Sequence, residues 1–271
     1  MRQARPVDPV DPAALAAARA VLAEAGSIAV LTGAGISTDS GIPYFRGPNG
    51  VWTRDPAAEK RSTIEHYLSD PGVREAAWRI RVESEMWAAE PNAGHVAVAE
   101  LARQGRLHTV VTQNIDGLHA AAGLPAHQLV EVHGTVHAVE CLDCHGRGPM
   151  PPVLERVRRG EADPPCESCG GILKSATIMF GQALVPADLA RAERAAVEAD
   201  VLVAVGTSLN VYPVAGMVPL ALEVGHPVVI VNAEPTPFDD VATVVVRGSA
   251  SEVLPALFAP GDGGGSEMST K

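Results

Sequence analysis

Four cysteines stand in this chain of 271 residues, as Cys141-x-x-Cys144 and Cys166-x-x-Cys169, with 21 residues between the two pairs. Two thiolates per knuckle supply a soft tetrahedral donor set, which is the chemistry of a zinc site. Four sulfurs close the coordination shell. Such a metal has no open position for water or substrate, so the expected role is structural, one Zn2+ per chain. Rival readings are two disulfides, or a haem attachment at Cys141-Leu-Asp-Cys144-His145. The second knuckle argues against haem, and Cys144 already fills the place His145 would compete for.

A second group of residues suits phosphate and ring binding. Gly33-Ala34-Gly35-Ile36-Ser37 follows an apolar run directly, where a dinucleotide-binding fold puts its phosphate turn. Small residues there let backbone N–H groups approach a pyrophosphate. The full G-x-G-x-x-G is not met, because Thr38 takes the last position, and the same residues also suit a plain strand-to-helix turn. Gly41-Ile42-Pro43-Tyr44-Phe45-Arg46-Gly47 follows. An aromatic, apolar loop with one cation could cover a planar ring and hold a phosphate, or simply pack on the core.

Thr112-Gln113-Asn114-Ile115-Asp116 ends another apolar run. Polar side chains this dense are costly inside a sheet protein unless they meet a ligand or cap the next helix. His133-Gly134 ends a third run, and a histidine at a strand terminus is a candidate general base. His95, in Pro-Asn-Ala-Gly-His, reads as a structural residue at a helix start. Gly206-Thr207-Ser208 and Asn232 end later runs and suit ribose and phosphate oxygens.

These residues need a scaffold that brings strand ends together. Short apolar runs at 27–33, 107–113, 127–133, 200–208, 226–232 and 242–248 alternate with helix-like stretches at 93–104, 187–199 and 213–224. Continuous apolar runs read as strands buried on both faces, and their alternation with helices predicts a doubly wound parallel α/β sheet. Residues 12–25 read as a helix capped by Asp11. Residues 48–90, helical in pattern, and 137–175, which hold the cysteines, break the alternation and read as a smaller lobe. The tail GDGGGSEMSTK has nothing to bury and is expected to be disordered.

Bulk properties narrow the function. A net charge of −11 argues against nucleic acid as a partner, since phosphate binding needs a basic face. No apolar run is long enough to span a membrane. The N-terminal MRQARPVDPVDP has acids and prolines where an export signal needs an apolar stretch, so a cytoplasmic location is expected.

As a set, GAGIS, GIPYFRG, TQNID, HG, the two CxxC pairs, FGQ, GTSLNVYP and IVN occur in the order of the sirtuin family. The resemblance runs from about Ile28 to about Leu257. GIPYFRGPNGVW also resembles the branch that includes human nuclear sirtuins six and seven. The resemblance implies a Rossmann-like domain (1–47, 91–136 and 176–260) and a small domain. The small domain would comprise a helical module (48–90) and a zinc module (137–175), followed by the tail at 261–271. It implies an NAD-dependent protein-lysine deacylase acting on acyl-lysine peptides. It places Ala34, Ile42, Phe45, Asn114, Ile115 and Asp116 around NAD's nicotinamide, and counts Ile36 and Gln113 among the NAD-binding residues. It assigns Gly33, Gly35, Ser37, Arg46, Gly206, Thr207 and Ser208 to phosphates and ribose, and Asn232, Glu234 and Ala250 to adenosine. His133 would be the catalytic base, with Asn114 beside it. Phe180, Gly181, Leu209, Asn210 and Val211 would clasp the peptide as an added strand.

The sequence departs from the family pattern at Tyr44 (usually Asp), at Gln182 (usually Glu) and in Lys174-Ser175-Ala176, which lacks the usual proline. Members that remove acidic acyl groups resemble one another in a Tyr-x-x-Arg pair. The nearest equivalent here is Trp78 and Arg81, so neutral acyl groups are expected. Alternatives are mono-ADP-ribosyl transfer and a zinc-containing NAD dehydrogenase.

Overall fold

The structure is a computed structural model, and it describes residues 9–43 and 62–260. The first helix, α1 (Pro12–Ala23), starts where Asp11 accepts the Ala13 N–H at 2.9 Å and Pro12 presets the first turn. Strand β1 (Ile28–Thr32) follows, then α2 (Ile64–Ser69), α3 (Pro71–Glu83) and α4 (Ala93–Arg103). Next come β2 (Leu107–Thr112), α5 (Leu118–Ala121), β3 (Leu129–Glu131), β4 (Gly134–Cys141), β5 (Arg147–Pro149) and α6 (Met150–Arg158). The chain continues through β6 (Leu173–Thr177), α7 (Pro186–Glu198), β7 (Val201–Val205), α8 (Met217–Glu223), β8 (Val228–Val231), β9 (Val244–Val246) and α9 (Ala250–Phe258).

Six of these strands form one parallel sheet in the order β3-β2-β1-β7-β8-β9. Successive side chains of a strand point to opposite faces, and here both faces are covered. Ile28, Val30, Val201, Val203 and Val205 pack under α1, α4 and α9. Ala29, Leu31, Leu202, Ala204 and Ile230 pack under α7 and α8. That double burial is why the strands read as unbroken apolar runs. Truncating one of the fully buried leucines, such as Leu31, would cost about 2–5 kcal/mol.

The chain leaves β1 toward β2 and β3, then returns on the other side as β7. Its direction of travel across the sheet therefore reverses between β1 and β7, the place where open α/β sheets bind ligands. The register pairs Thr32 with both Thr112 and Val205, and Val205 with Val231. Gly33, Gln113, Gly206 and Asn232, the next residues of these strands, therefore emerge side by side.

A second sheet, β5-β4-β6, is antiparallel. It lies in the stretch that shows little apolar periodicity in sequence, and polar residues interrupt its strands. Trp78, Val139, Cys141, Met150, Val153, Leu154, Cys166 and Leu173 form its own core. One ladder joins β4 to β6 from Gly134↔Thr177 to Cys141↔Leu173, so the boundaries expected at 136/137 and 175/176 fall inside strands. Among the described residues no helix is long and apolar enough to cross a membrane. The expectations for Tyr44, Phe45, Arg46, residues 48–61 and the tail lie outside the described residues.

Candidate functional site

The two glycine-bearing turns meet backbone to backbone. Gly35 donates its N–H to the Gly206 carbonyl at 2.8 Å. A Cβ on Gly35 would sit 2.6 Å from the Gly206 Cα, and a Cβ on Gly33 would sit 2.8 Å from the Gly206 oxygen. Gly206 has φ +58°, and a Cβ there would lie 2.5 Å from the Ile36 nitrogen. Glycine is required on both sides of this contact, which fixes the floor of the crevice between β1 and β7. At its rim Gln113 Nε2 donates to Thr207 Oγ1 at 2.9 Å.

Beside this floor lies a buried polar cluster. The fully buried Ser37 donates its hydroxyl to Asp116 Oδ2 at 2.8 Å and accepts from Asn114 Nδ2 at 3.1 Å. Asn114 Nδ2 also reaches the Gly33 carbonyl at 3.1 Å. Asp116 Oδ1 accepts the Leu118 N–H at 2.9 Å, so this carboxylate caps α5 as well as holding Ser37. The ligand and cap readings of the polar run thus coexist in one side chain. Ala34, Ser37, Ile42, Asn114, Ile115 and Asp116 line one small cleft together with Met86. That cleft brings together Ala34, Ile42, Asn114, Ile115 and Asp116, while Ile36 is buried in the core and Gln113 lies at the rim.

His133 sits at the end of the segment after β3. Its Nδ1 lies 2.9 Å from the Gln113 carbonyl, which can only accept. Nδ1 therefore carries the proton and Nε2 is left as the acceptor. Burial pushes the pKa of this imidazole down, against the opposing pull of the Gln113 bond. The ring is neutral at pH 7, as a general base must be.

Elsewhere along the crevice, Asn232 is buried and its Nδ2 donates to the Glu234 carbonyl at 2.7 Å. Arg247 donates to the same carbonyl at 2.9 Å, bracing the turn after β8. Ala250 is buried at the first position of α9, against Gly94. Ser208 and Asn210 are exposed, Val211 is half-buried, and Leu209 is buried with φ +54°. Phe180 pairs with residues 62–64: its N–H meets the Ser62 carbonyl and its carbonyl meets the Ile64 N–H, each at 2.9 Å. Both main-chain groups of Phe180 are thus bonded to the segment that leads into α2. Gly181 follows at φ +80°.

The four cysteine sulfurs all lie within 4.8 Å of one another, and all four residues are free. Cys141 and Cys169 are 3.5 Å apart, Cys144 and Cys166 3.8 Å. Bonds of about 2.3 Å to a tetrahedral zinc would hold sulfurs about 3.8 Å apart, so the set fits one ion. Each knuckle ends on a left-handed residue, His145 at φ +57° and Gly170 at φ +77°. His145 is exposed and outside the set, and the haem and disulfide readings fail with it.

The sequence profile of the Sir2 family matches residues 33–213. The chain belongs to the Sir2 family. The NAD-dependent protein deacetylase 2 of Streptomyces coelicolor is 52% identical over 231 residues, covering 85% of this chain and 96% of that protein. A solved Sir2 enzyme superposes with a TM-score of 0.82 at 38% identity, covering 92% of this chain and 97% of its own. A Sir2 structure with a deacetylated p53 peptide and 3′-O-acetyl-ADP-ribose gives a TM-score of 0.80 at 33% identity over 88% and 95% of the two chains.

Two departures from the Sir2 pattern now have a structural account. Gln182 Oε1 accepts the Met179 N–H at 3.2 Å, so a neutral amide closes the turn that follows Phe180. In place of the Sir2 proline, Ser175 accepts from Arg81 at 3.2 Å, and the buried Lys174 ammonium donates to the Thr177 carbonyl at 2.6 Å. Sequence reasoning missed Met86, because nothing local ties it to a cleft built from other elements. It also undervalued His95. That residue caps α4 as expected, its Nδ1 accepting from the Asn92 N–H, yet its Nε2 lies 3.4 Å from Ser37 Oγ.

Proposed function

We propose that this Sir2 protein is an NAD-dependent protein-lysine deacylase, transferring the acyl group to ADP-ribose and releasing nicotinamide. The observation that carries this reading is a neutral, half-buried His133 whose Nε2 has no partner among the described residues, next to a cleft built from Ser37, Asn114 and Asp116. The names of its relatives and the acetyl-ADP-ribose bound by a neighbour support it.

NAD, consumed as a substrate, supplies the ADP-ribose that accepts the acyl group and a cationic leaving group: the acyl oxygen of the lysine amide bonds to C1′ of the ribose as the bond to nicotinamide breaks. Ile42, Ile115 and Met86 offer apolar contact to the nicotinamide ring, with Asn114 and Asp116 at its polar edge. The hydroxyl of Ser37 is already engaged by Asp116 and Asn114, so Ser37 acts here by holding those two side chains. Gly33, Gly35, Gly206, Thr207 and Ser208 take the phosphates and near ribose, with Asn232, Glu234 and Ala250 at the adenosine end. His133 Nε2 accepts a proton from a ribose hydroxyl, which makes that oxygen the nucleophile toward the acyl carbon. Water ends the cycle with free lysine. Gly181 and Leu209, Asn210 and Val211 bind the acyl-lysine peptide.

In this reading 1–47, 91–136 and 176–260 make the NAD-binding domain and 48–90 with 137–175 the small domain, with the edges moved to the ends of β4 and β6; the separate core of the small sheet supports the division. Cys141, Cys144, Cys166 and Cys169 hold one structural zinc. Four unpaired thiols suit a cytoplasmic, reducing location. The test is mass spectrometry of purified enzyme with NAD and a panel of acyl-lysine peptides. Free lysine peptide, nicotinamide and O-acyl-ADP-ribose in equal amounts are expected. An ADP-ribosylated protein or peptide product without deacylation would replace the reading with ADP-ribosyl transfer.

A further inference from the structure

We infer that His137 is a positioning residue for the nicotinamide end of the cleft, a bolt between the metal-bearing sheet and the Asn114–Asp116 segment. The inference rests on the deacylase reading for what the cleft binds. His137 lies on β4, outside every motif considered above. Its Nε2 is 2.8 Å from the Asp116 carbonyl, which can only accept, so Nε2 carries the proton. One residue earlier on β4, the Val136 N–H donates to the Ile115 carbonyl at 2.9 Å. Two successive carbonyls of the cleft wall are thus held by two successive residues of the small sheet.

The exposed His137 ring has two further neighbours. Trp87 meets it edge-on, with ring centres 5.5 Å apart and planes at 80°. The Trp87 indole N–H donates to the Arg81 carbonyl at 2.7 Å, and its neighbour Met86 lines the cleft. Gly117 makes the approach feasible. It has φ +73°, and a Cβ there would lie 2.6 Å from both Cδ2 and Nε2 of His137. A left-handed glycine at this point both turns the chain into α5 and clears space for the imidazole. Asp116 is the residue whose carboxylate organises Ser37 and caps α5, so a bond to its carbonyl fixes the peptide plane from which that carboxylate is aimed. Cys141 stands four residues further along the same strand, so metal module and cleft wall share one rigid element.

The test compares wild type, His137→Phe and His137→Gln in the zinc-loaded full-length protein. Phenylalanine keeps a ring against Trp87 and Gly117 but cannot donate; glutamine offers a side-chain N–H without the ring. Loss of one neutral hydrogen bond should raise the KM for NAD on the order of threefold to tenfold in His137→Phe. The KM for peptide, zinc content and Tm should stay at wild-type values, and His137→Gln should recover most of the NAD affinity. Amide exchange at Asn114 and Leu118 should be faster in His137→Phe, a readout that needs no turnover. A wild type without NAD turnover would overturn the deacylase reading alone, since the exchange difference would remain. Wild-type exchange and KM in His137→Phe, or a glutamine variant no better than phenylalanine, would overturn the bolt.

Discussion

His133 donates its Nδ1 proton to the main-chain carbonyl of Gln113 at 2.9 Å, and this one bond decides which nitrogen of the ring can act as a base. His133→Ala should lower kcat/KM for deacylation by about 10²–10⁴-fold while NAD binding persists. Burial depresses the His133 pKa below its ordinary 6.5. A base works in its neutral form, so activity should be lost as pH falls through that depressed value, and the acid limb of kcat/KM should lie below pH 6.5. An acid limb above 6.5, or an unaffected alanine variant, would remove His133 from the role.

The contact between Gly35 and Gly206 should tolerate no side chain. Gly206→Ala must place a Cβ 2.5 Å from a backbone nitrogen at a left-handed φ. Backbone strain and overpacking together should lower stability by about 2–4 kcal/mol and weaken NAD binding. Thermal unfolding and NAD calorimetry on Gly206→Ala and on Gly41→Ala, whose Cβ would meet nothing within 4 Å among the described residues, separate overpacking from the cost of a positive φ. Equal effects at both positions would refute the packing argument.

Removal of one thiolate should release the metal. Metal analysis of Cys166→Ala should show zinc lost from a stoichiometry of one per chain, with a protein that folds poorly, because binding free energy here is folding free energy. A folded, active, metal-free variant would end the structural assignment.

Acid should destabilise the fold through His95 and His119. Burial drives their pKa values down to about 4 and about 3, from 6.5. A histidine with a depressed folded pKa contributes fully above its unfolded value, and that contribution is lost as pH falls. Tm should therefore drop from about pH 6.5 downward, with the loss extending to about pH 4 for His95 and about pH 3 for His119. His119→Gln should flatten this part of the Tm–pH curve, and a slope equal to wild type would show that His119 does not drive it.

Acyl selectivity should favour acetyl or longer neutral groups over succinyl. Trp78 is buried in the core of the small sheet and its indole N–H has no partner among the described residues, while Arg81 is tied to Ser175. An incomplete clamp should leave succinyl-lysine roughly ten- to a hundredfold behind in kcat/KM. A succinyl peptide that outpaces acetyl and myristoyl peptides would point to Arg81 as its anchor.

The sequence by itself determined the parts that follow from local chemistry. Apolar runs that end in glycine or an amide dictated strands buried on both faces, because only a sheet covered on both sides buries every side chain of such a run. The spacing Cys141-x-x-Cys144 and Cys166-x-x-Cys169 dictated a four-sulfur site, because each short knuckle aims two thiolates at one point. The residues of the loop after β1 and of the polar run after β2 that line one cleft could be named before any strand order was known. Only the tertiary structure decided how these parts combine. Gly35 meets Gly206 because β1 and β7 became neighbours, and strand order is set by long-range packing that no local pattern encodes. Met86 and His137 belong to elements with their own local logic, a 3-10 turn and a polar strand, and they reach the cleft only because a second sheet docks beside the first. Ser37 looked like a phosphate contact from its loop. In the fold it is buried among Asp116, Asn114 and His95, from two other segments, and its hydroxyl contacts all three side chains.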